Sequence, residues 1–511
     1  MNGEARQILI IDLGGQYVLL INRVLLELGV QPKILPPNEA GEYLKKNSVK
    51  GIIASGGAAS VSDPDAPKIP ENVFRCKAPG LFICLGAQLL TKHFGGKIGR
   101  IRDKIEYSRS ILEADITSPL FAGLAISSDV WTSHRDSILE APGDFRVIGN
   151  NHEGGIQAIE HQKESIWGLI FHPEVEQTEF GHMIFQNFLR ICGAAKDWSP
   201  GDTISTLRKD ISDQIPKNAG ALLALSGGVD STVAAVIAKS VLGDRLIPIT
   251  LDTGGLREGE LKEIIETSNL IGCPTHVLKS RGAFLRALGN KMDPEKKRKA
   301  FQRTYFSISE AYAGTLDPKP KFLIQGTTVP DVIESARVGE AVKITTHHNV
   351  GAKTKFKLID PLRNLFKPEV RALARMLDLP EEICEREPFP GPGGYCRISW
   401  MPVTKERLDV WQWAQAQVDK IISRSLSQGG VSQKMANLLP KARGVKGDGP
   451  SFGYCVSVRV VLTSTFMTAK GVELPSEIKR EIRRELTKHP AIGGNIFFNE
   501  SDKPPAKIEL E

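Results

Sequence analysis

Four short apolar runs punctuate the first 195 residues: ILIID (8–12), GIIAS (51–55), GLFIC (80–84) and IWGLIF (166–171). Runs of this length, several followed by glycine-containing turns, read as buried strands, with helical patterns between them. Strands alternating with helices predict an α/β layout with a parallel sheet. The polar, small-residue stretch CGAAKDWSPGD (192–202) then predicts a linker.

A second α/β unit follows. ALLALS (221–226) and RLIPITLD (245–252) are strands, and STVAAVIAKSVLG (231–243) is the helix between them, a βαβ unit. A strongly polar helical stretch, DPEKKRKAFQRTYFSISEAYA (293–313), precedes another strand at KFLIQGT (321–327). The composition changes at PFPGPGG (388–394). Beyond it come one long helical pattern near 404–426 and apolar, partly alternating segments, YCVSVRVVLTSTF (454–466) and NIFFNE (495–500), which predict an α+β region. Three domains are expected: 1–195, 203–387 and 388–511.

Composition changes this picture little. The 511 residues are 41% hydrophobic and 24% charged, an ordinary globular balance. A net charge of +7, from 66 basic and 59 acidic residues, is too dilute to argue for nucleic-acid binding and suits anionic small molecules equally well. The longest basic run, KKRK (296–299), reads from charge alone as a solvated helix face. No apolar stretch is long enough to span a membrane, and no secretory leader opens the sequence. Seven dispersed cysteines without a CxxC pair predict reduced thiols in a cytoplasm. No Cys/His cluster predicts a zinc site.

Chemistry concentrates in three places. Cys84 ends a strand-like run and opens a helix-like one, GAQLLTKHFGG, and a helix N-terminus favours a thiolate. Alone it reads as a small buried residue at a strand end. FHPEV (171–175) supplies a partner. His172 and Glu174 lie two apart after a strand, so Glu174 can hold the imidazole while His172 activates Cys84. SGG (55–57) offers the backbone N–H of Gly57, and Leu85 offers another, as an oxyanion site. Together these stretches resemble the class I glutamine amidotransferases, whose motifs read SGGP, GxCxGxQ and HPE. Phe82 stands where that family usually has Gly, and Ala58 replaces its Pro. The resemblance implies a glutamyl thioester at Cys84 and release of ammonia.

The second place is SGGVDS, Ser226, Gly227, Gly228, Val229, Asp230 and Ser231, between strand and helix. A glycine pair alone reads as an ordinary turn. Here backbone N–H groups and hydroxyls at a helix N-terminus suit a pyrophosphate. The lysine of the familiar nucleotide loop is missing. The stretch resembles the loop of the N-type ATP pyrophosphatases, of adenine-nucleotide α-hydrolase-like fold, which adenylate an oxygen and release pyrophosphate. ATP is then the substrate, and Asp230 is the expected Mg²⁺ ligand.

The third is a series: QGTTVPDVIES (325–335), THHNVG (346–351), PLRNLFKPEVR (361–371), PFPGPG (388–393), GVKGDG (444–449) and DKPPAKIELE (502–511). With the other motifs it resembles the GMP synthetases in order along essentially the whole chain. That resemblance implies glutamine and xanthosine 5′-monophosphate as substrates, and a C-terminal dimerisation domain that completes the nucleotide site of a homodimer. By position, Arg298, Asp448, Lys503 and Glu509 match the family's nucleotide-binding residues; alone, each reads as surface charge. Departures gather in the acceptor half: Glu387 for His, Gly394-Tyr395-Cys396 for a Leu-Ala-aliphatic run, Thr328-Val329 for Leu-Tyr, Gln302 for Gly, Thr465 for Asp, Asn495 for Arg and Leu510 for Trp. They leave open a specialised paralogue that aminates a related purine nucleotide. A non-catalytic nucleotide-sensing regulator is the reading from another class.

Overall fold

The computed structural model describes residues 7–510 apart from 16, 58, 64–65, 101–105, 332–352, 390, 426–430, 447–448, 464–468 and 504–505. Its described residues fall into two compact units that divide between Ser199 and Pro200.

The first unit is built on an eleven-stranded sheet. Its parallel half runs in the spatial order Lys33–Leu35, Ile8–Ile11, Gly51–Ala54, Gly80–Ile83, Ile166–Leu169. Every residue of the last four is buried, as their unbroken apolar runs require. The sheet then continues as antiparallel strands drawn from residues 106–161, so the expected parallel sheet is only half of it. Those strands escaped a search for apolar runs because they alternate. Ser127–His134, SSDVWTSH, buries one face at its outer end while the other meets solvent. The helices Val18–Glu27 and Gly181–Ile191 bury Ile21, Val24, Phe185 and Phe188 against the sheet.

The second unit holds a five-stranded, all-parallel sheet in the order His276–Lys279, Leu246–Asp252, Ala221–Ala224, Phe322–Ile324, Lys357–Ile359. The chain lays strands to one side of Ala221–Ala224 and then returns to the other. Doubly wound sheets bind ligands at such a reversal, beyond the carboxyl ends of the two strands. Here those ends are Leu225-Ser226 and Gln325-Gly326.

The α+β region at the C-terminal end carries a four-stranded sheet. Gln433–Lys446 and Gly449–Leu462 form a long antiparallel hairpin, and Ile492–Asn499 runs parallel to its second strand. Helices Lys405–Ser425 and Ser476–Leu486 bury Trp411, Val418, Ile482 and Leu486 against it. The same apolar cluster contains Leu222, Ile249 and Leu251 of the five-stranded sheet, so one core runs through both sheets of this unit.

The stretch 293–313 folds as the helix Pro294–Gly314, capped by the Asp293 side chain on the Lys296 N–H. Its KKRK run is not the solvated face that charge suggests. Lys296 and Lys299 are exposed, but Lys297 and Arg298 are buried on the inner side of the helix.

Candidate active sites

In the first unit Cys84 caps the helix Leu85–His93 with φ 50° and ψ −108°. A non-glycine residue in this region stores about 1–3 kcal/mol of strain, and such turns present nucleophiles at strand-to-helix elbows. The turn is pinned because the Cys84 N–H donates to the Leu169 carbonyl at 2.7 Å. The Sγ lies 3.8 Å from the Ser133 carbonyl.

His172 and Glu174 are both buried, and the imidazole Nδ1 lies 2.7 Å from Glu174 Oε1. They do not meet by strand alternation, because the strand ends at Leu169 and FHPEV turns through Pro173. The turn is held by the His172 N–H on the Trp131 carbonyl and by the Thr178 hydroxyl on the His172 carbonyl. With Nδ1 engaged by Glu174, the other ring nitrogen is left for the hydrogen bond with Cys84. Burial alone would lower the His172 pKa, but the Glu174 carboxylate and the Cys84 sulfur outweigh it and push it up to about 10. The Tyr17 ring meets the imidazole edge-on, with centroids 5.1 Å apart.

The SGG stretch lies directly over this pair. A Cβ on Gly56 would stand 3.0 Å from His172 Cε1 and 3.4 Å from Cys84 Cβ, and one on Gly57 would stand 2.7 Å from the Leu13 carbonyl oxygen. Only glycine lets the backbone come this close, which is what N–H donors aimed at a reacting carbonyl require. Leu85, as the first helical residue, has an N–H without an intrahelical acceptor.

The motif pattern did not single out the loop 133–136. Gln88 donates to the Asp136 carbonyl at 2.7 Å, and the Asp136 carboxylate accepts the Ser60 hydroxyl.

In the second unit a cavity of about 310 Å³ opens at the strand reversal. Ser226, Gly228, Asp230 and Ser231 form one wall. Ser231 Oγ ties the loop together, lying 3.0 Å from both Ser226 Oγ and the Gly228 carbonyl. Val229 is buried behind it, and the Gly227 carbonyl accepts from Arg386 at 2.9 Å. Lys367, which the motif reading passed over, donates its ammonium to Asp230 Oδ2. Burial raises the Asp230 pKa, and Lys367 pulls it back. Asp230 Oδ1 is buried with no hydrogen-bond partner among the described residues. An orphaned carboxylate oxygen beside a phosphate loop fits a hard divalent cation that takes its other ligands from phosphate oxygens. Among the described residues no cluster of three or more His, Cys, Asp or Glu could hold a metal by itself.

Arg298, Lys503 and Glu509 line the same cavity as the phosphate loop, although about 200 residues separate the first from the other two. Asp448 and Thr465 lie outside the described residues. The other departures sort by position. Glu387 lines the cavity, accepts the Lys434 N–H and pairs with the Lys434 ammonium at 3.3 Å. Tyr395 does not line it; its ring is buried and its hydroxyl donates to the Thr253 carbonyl at 2.9 Å. A Cβ on Gly394 would stand 2.4 Å from the Trp411 indole, so the altered run answers to its own packing. Asn495 reaches the Arg443 carbonyl at 3.5 Å and does not line the cavity.

Two stretches of the chain match known families. The description "Glutamine amidotransferase class-I" matches residues 9–192, and "GMP synthase C terminal domain" matches residues 420–510. The glutamine-hydrolysing GMP synthase of Thermomicrobium roseum is 38% identical, covering 99% of this chain and 96% of the relative. Those of Thermus thermophilus and Aquifex aeolicus are also 38% identical, each covering 99% of this chain and 100% of the relative. The chain belongs to the glutamine-hydrolysing GMP synthase family.

Proposed function

We propose that the chain converts xanthosine 5′-monophosphate to GMP, with glutamine as nitrogen donor and ATP as activator. Two observations carry this reading: full-length family membership, and a single cavity that joins a phosphate loop to the tail residues Lys503 and Glu509.

In the glutaminase site, Cys84 attacks the glutamine side-chain amide. His172, oriented by Glu174, passes the thiol proton to the leaving ammonia, and the N–H groups of Gly57 and Leu85 hold the oxyanion. Water then hydrolyses the thioester and regenerates Cys84.

In the second unit the C2 oxygen of xanthosine monophosphate attacks the α-phosphorus of ATP and pyrophosphate leaves. Ammonia then attacks C2, and AMP departs. The SGGVDS loop receives the β- and γ-phosphates on backbone N–H groups and hydroxyls. Lys367 supplies the cation that the loop itself lacks. Asp230 would hold Mg²⁺ through Oδ1, and the ion supplies neutralisation of the leaving pyrophosphate. Arg298 and Lys503 offer cations to the acceptor phosphate, and Glu509 an acceptor to its base or ribose. Asp448 belongs with them by position.

The division of labour follows chain order: 1–195 releases ammonia, 203–387 adenylates, and 388–511 completes the nucleotide site and dimerises. Val445 and Phe452 are 77% and 66% exposed near the end of the long hairpin, on one face. Two large apolar side chains so placed suit a homodimer contact. All seven cysteines are free thiols, which suits a cytoplasmic enzyme. Among the described residues no helix is long and apolar enough to cross a membrane. Nothing in either site favours a modified purine acceptor or a non-catalytic sensor.

The test is release of AMP and pyrophosphate with xanthosine monophosphate, ATP and glutamine, and formation of GMP. Turnover only with a modified purine nucleotide would overturn the acceptor, and no turnover with any nucleotide would overturn the enzyme.

A further inference from the structure

Two of the most deeply buried charged side chains in the second unit, Arg397 and Arg459, both face the C-terminal segment 501–510. Arg459 is 2% exposed. Its Nη2 donates to the Ser501 carbonyl at 2.7 Å and its Nη1 to the Lys507 carbonyl at 2.6 Å, so one guanidinium closes a loop of the chain. Arg397 is 1% exposed; its Nη2 donates to Glu509 Oε1 at 2.9 Å, and its Nε lies 2.7 Å from Oε2 as an ion pair without hydrogen-bond geometry. Between these clamps Lys503 pairs with Ala469 through both backbone groups, at 2.7 and 2.9 Å, and the Asp502 carboxylate accepts the Gly471 N–H.

The segment so held presents Lys503, Lys507, Ile508 and Glu509 to the nucleotide cavity. Neither arginine lines that cavity. Burying a guanidinium is costly, and an apolar side chain of similar volume stabilises a fold as well or better. A planar fork is needed where several acceptors must be fixed in a set geometry, and a lysine at position 459 has no such fork for two carbonyls.

We infer that Arg397 and Arg459 are positioning residues of the acceptor site, which hold residues 501–503 and 506–510 as the wall that carries Lys503 and Glu509. The inference rests on the proposed reading of that cavity as the nucleotide site.

The test uses the full chain with ammonium as nitrogen donor. Arg459→Met and Arg397→Met should raise the KM for xanthosine monophosphate by roughly tenfold or more, the scale on which misplaced binding groups act. Glutamine hydrolysis and the KM for ATP should stay unchanged, and amides of 501–510 should exchange faster with solvent. An unchanged KM alongside faster exchange overturns the inference, as does unchanged exchange. Lys503→Ala separates the two readings. If it leaves the KM unchanged, the acceptor site is misplaced; if it raises the KM while Arg459→Met does not, the clamp has no positioning role. Should a methionine variant fail to fold, Arg459→Lys and Arg397→Lys decide by the same measurements, since each keeps the charge and loses the fork.

Discussion

Lys367 reaches across 137 residues of sequence to donate its ammonium to Asp230, inside the phosphate loop that has no lysine of its own. An ammonium is therefore present beside the loop but arrives from another element, the first turn of the helix Lys367–Met376. Burial raises the Asp230 pKa and Lys367 opposes that rise, with one carboxylate oxygen on the lysine and one left over.

Lys367→Met should abolish adenylation and leave glutamine hydrolysis intact. It removes the proposed phosphate-binding cation and strands a buried carboxylate, a change that costs about 3–5 kcal/mol when the partner of a buried pair is lost. With Lys367 gone the Asp230 pKa should rise further, because the largest opposition to burial is removed and only the Arg371 charge still lowers it. Pyrophosphate release, compared with glutamate release on the same preparation, checks this. Persisting pyrophosphate release would remove Lys367 from the site.

Cys84→Ala should end glutamine-dependent GMP formation while ammonium still supports it. The two chemistries draw on side chains in separate compact units. Loss of both activities in a folded variant would show that the sites are not separable.

Glu174→Gln should move the alkaline limb of glutamine hydrolysis to lower pH. The carboxylate is a chief cause of the raised His172 pKa, so its loss lets burial draw that pKa back down. The sign for stability follows. The folded pKa, about 10, lies above the ordinary histidine value, so the charged imidazole stabilises the fold fully below about pH 6.5. That contribution is lost as pH rises toward 10, and the variant should show a smaller loss over the same window in denaturant titrations.

Gly394→Ala should destabilise the second unit by about 1–3 kcal/mol, the usual penalty for an added carbon in a filled core. The added carbon meets the Trp411 ring, which is itself fixed by its indole N–H on the Ala436 carbonyl at 2.9 Å. A denaturant midpoint equal to that of the parent chain would show that the helix Gly394–Arg397 can shift to make room.

Phe452→Asp, paired with Val445→Asp, should convert the proposed homodimer to a monomer in light scattering at micromolar concentration. Both side chains are exposed near the hairpin end, where a charge does not disturb the core. A dimer that survives both changes places the interface elsewhere.

The legible features were those whose chemistry sits in a few consecutive residues. Cys84 after GLFIC, His172 with Glu174, and SGGVDS each carry their partners or their turn within six residues, so the stretch itself announces the role. The parallel strands were legible because burial on both faces leaves an unbroken apolar run. The antiparallel strands of the first unit were not, since a half-solvated strand such as Ser127–His134 mixes serine and aspartate with tryptophan. Lys367, Arg397 and Arg459 were missed for another reason. Each is defined by a partner far away in sequence, Asp230, Glu509 and the carbonyls of Ser501 and Lys507, and only folding brings them together. Arg298 was reached only through resemblance, because the surrounding KKRK charge conceals its burial.

The tail clamp sets an order of events during synthesis. Cys84, His172 and Glu174 all precede the first strand of the five-stranded sheet in the chain, whereas the proposed acceptor wall waits for the last residues, up to Glu509. A nascent or prematurely terminated chain thus holds a complete set of ammonia-releasing residues with nowhere to deliver the product.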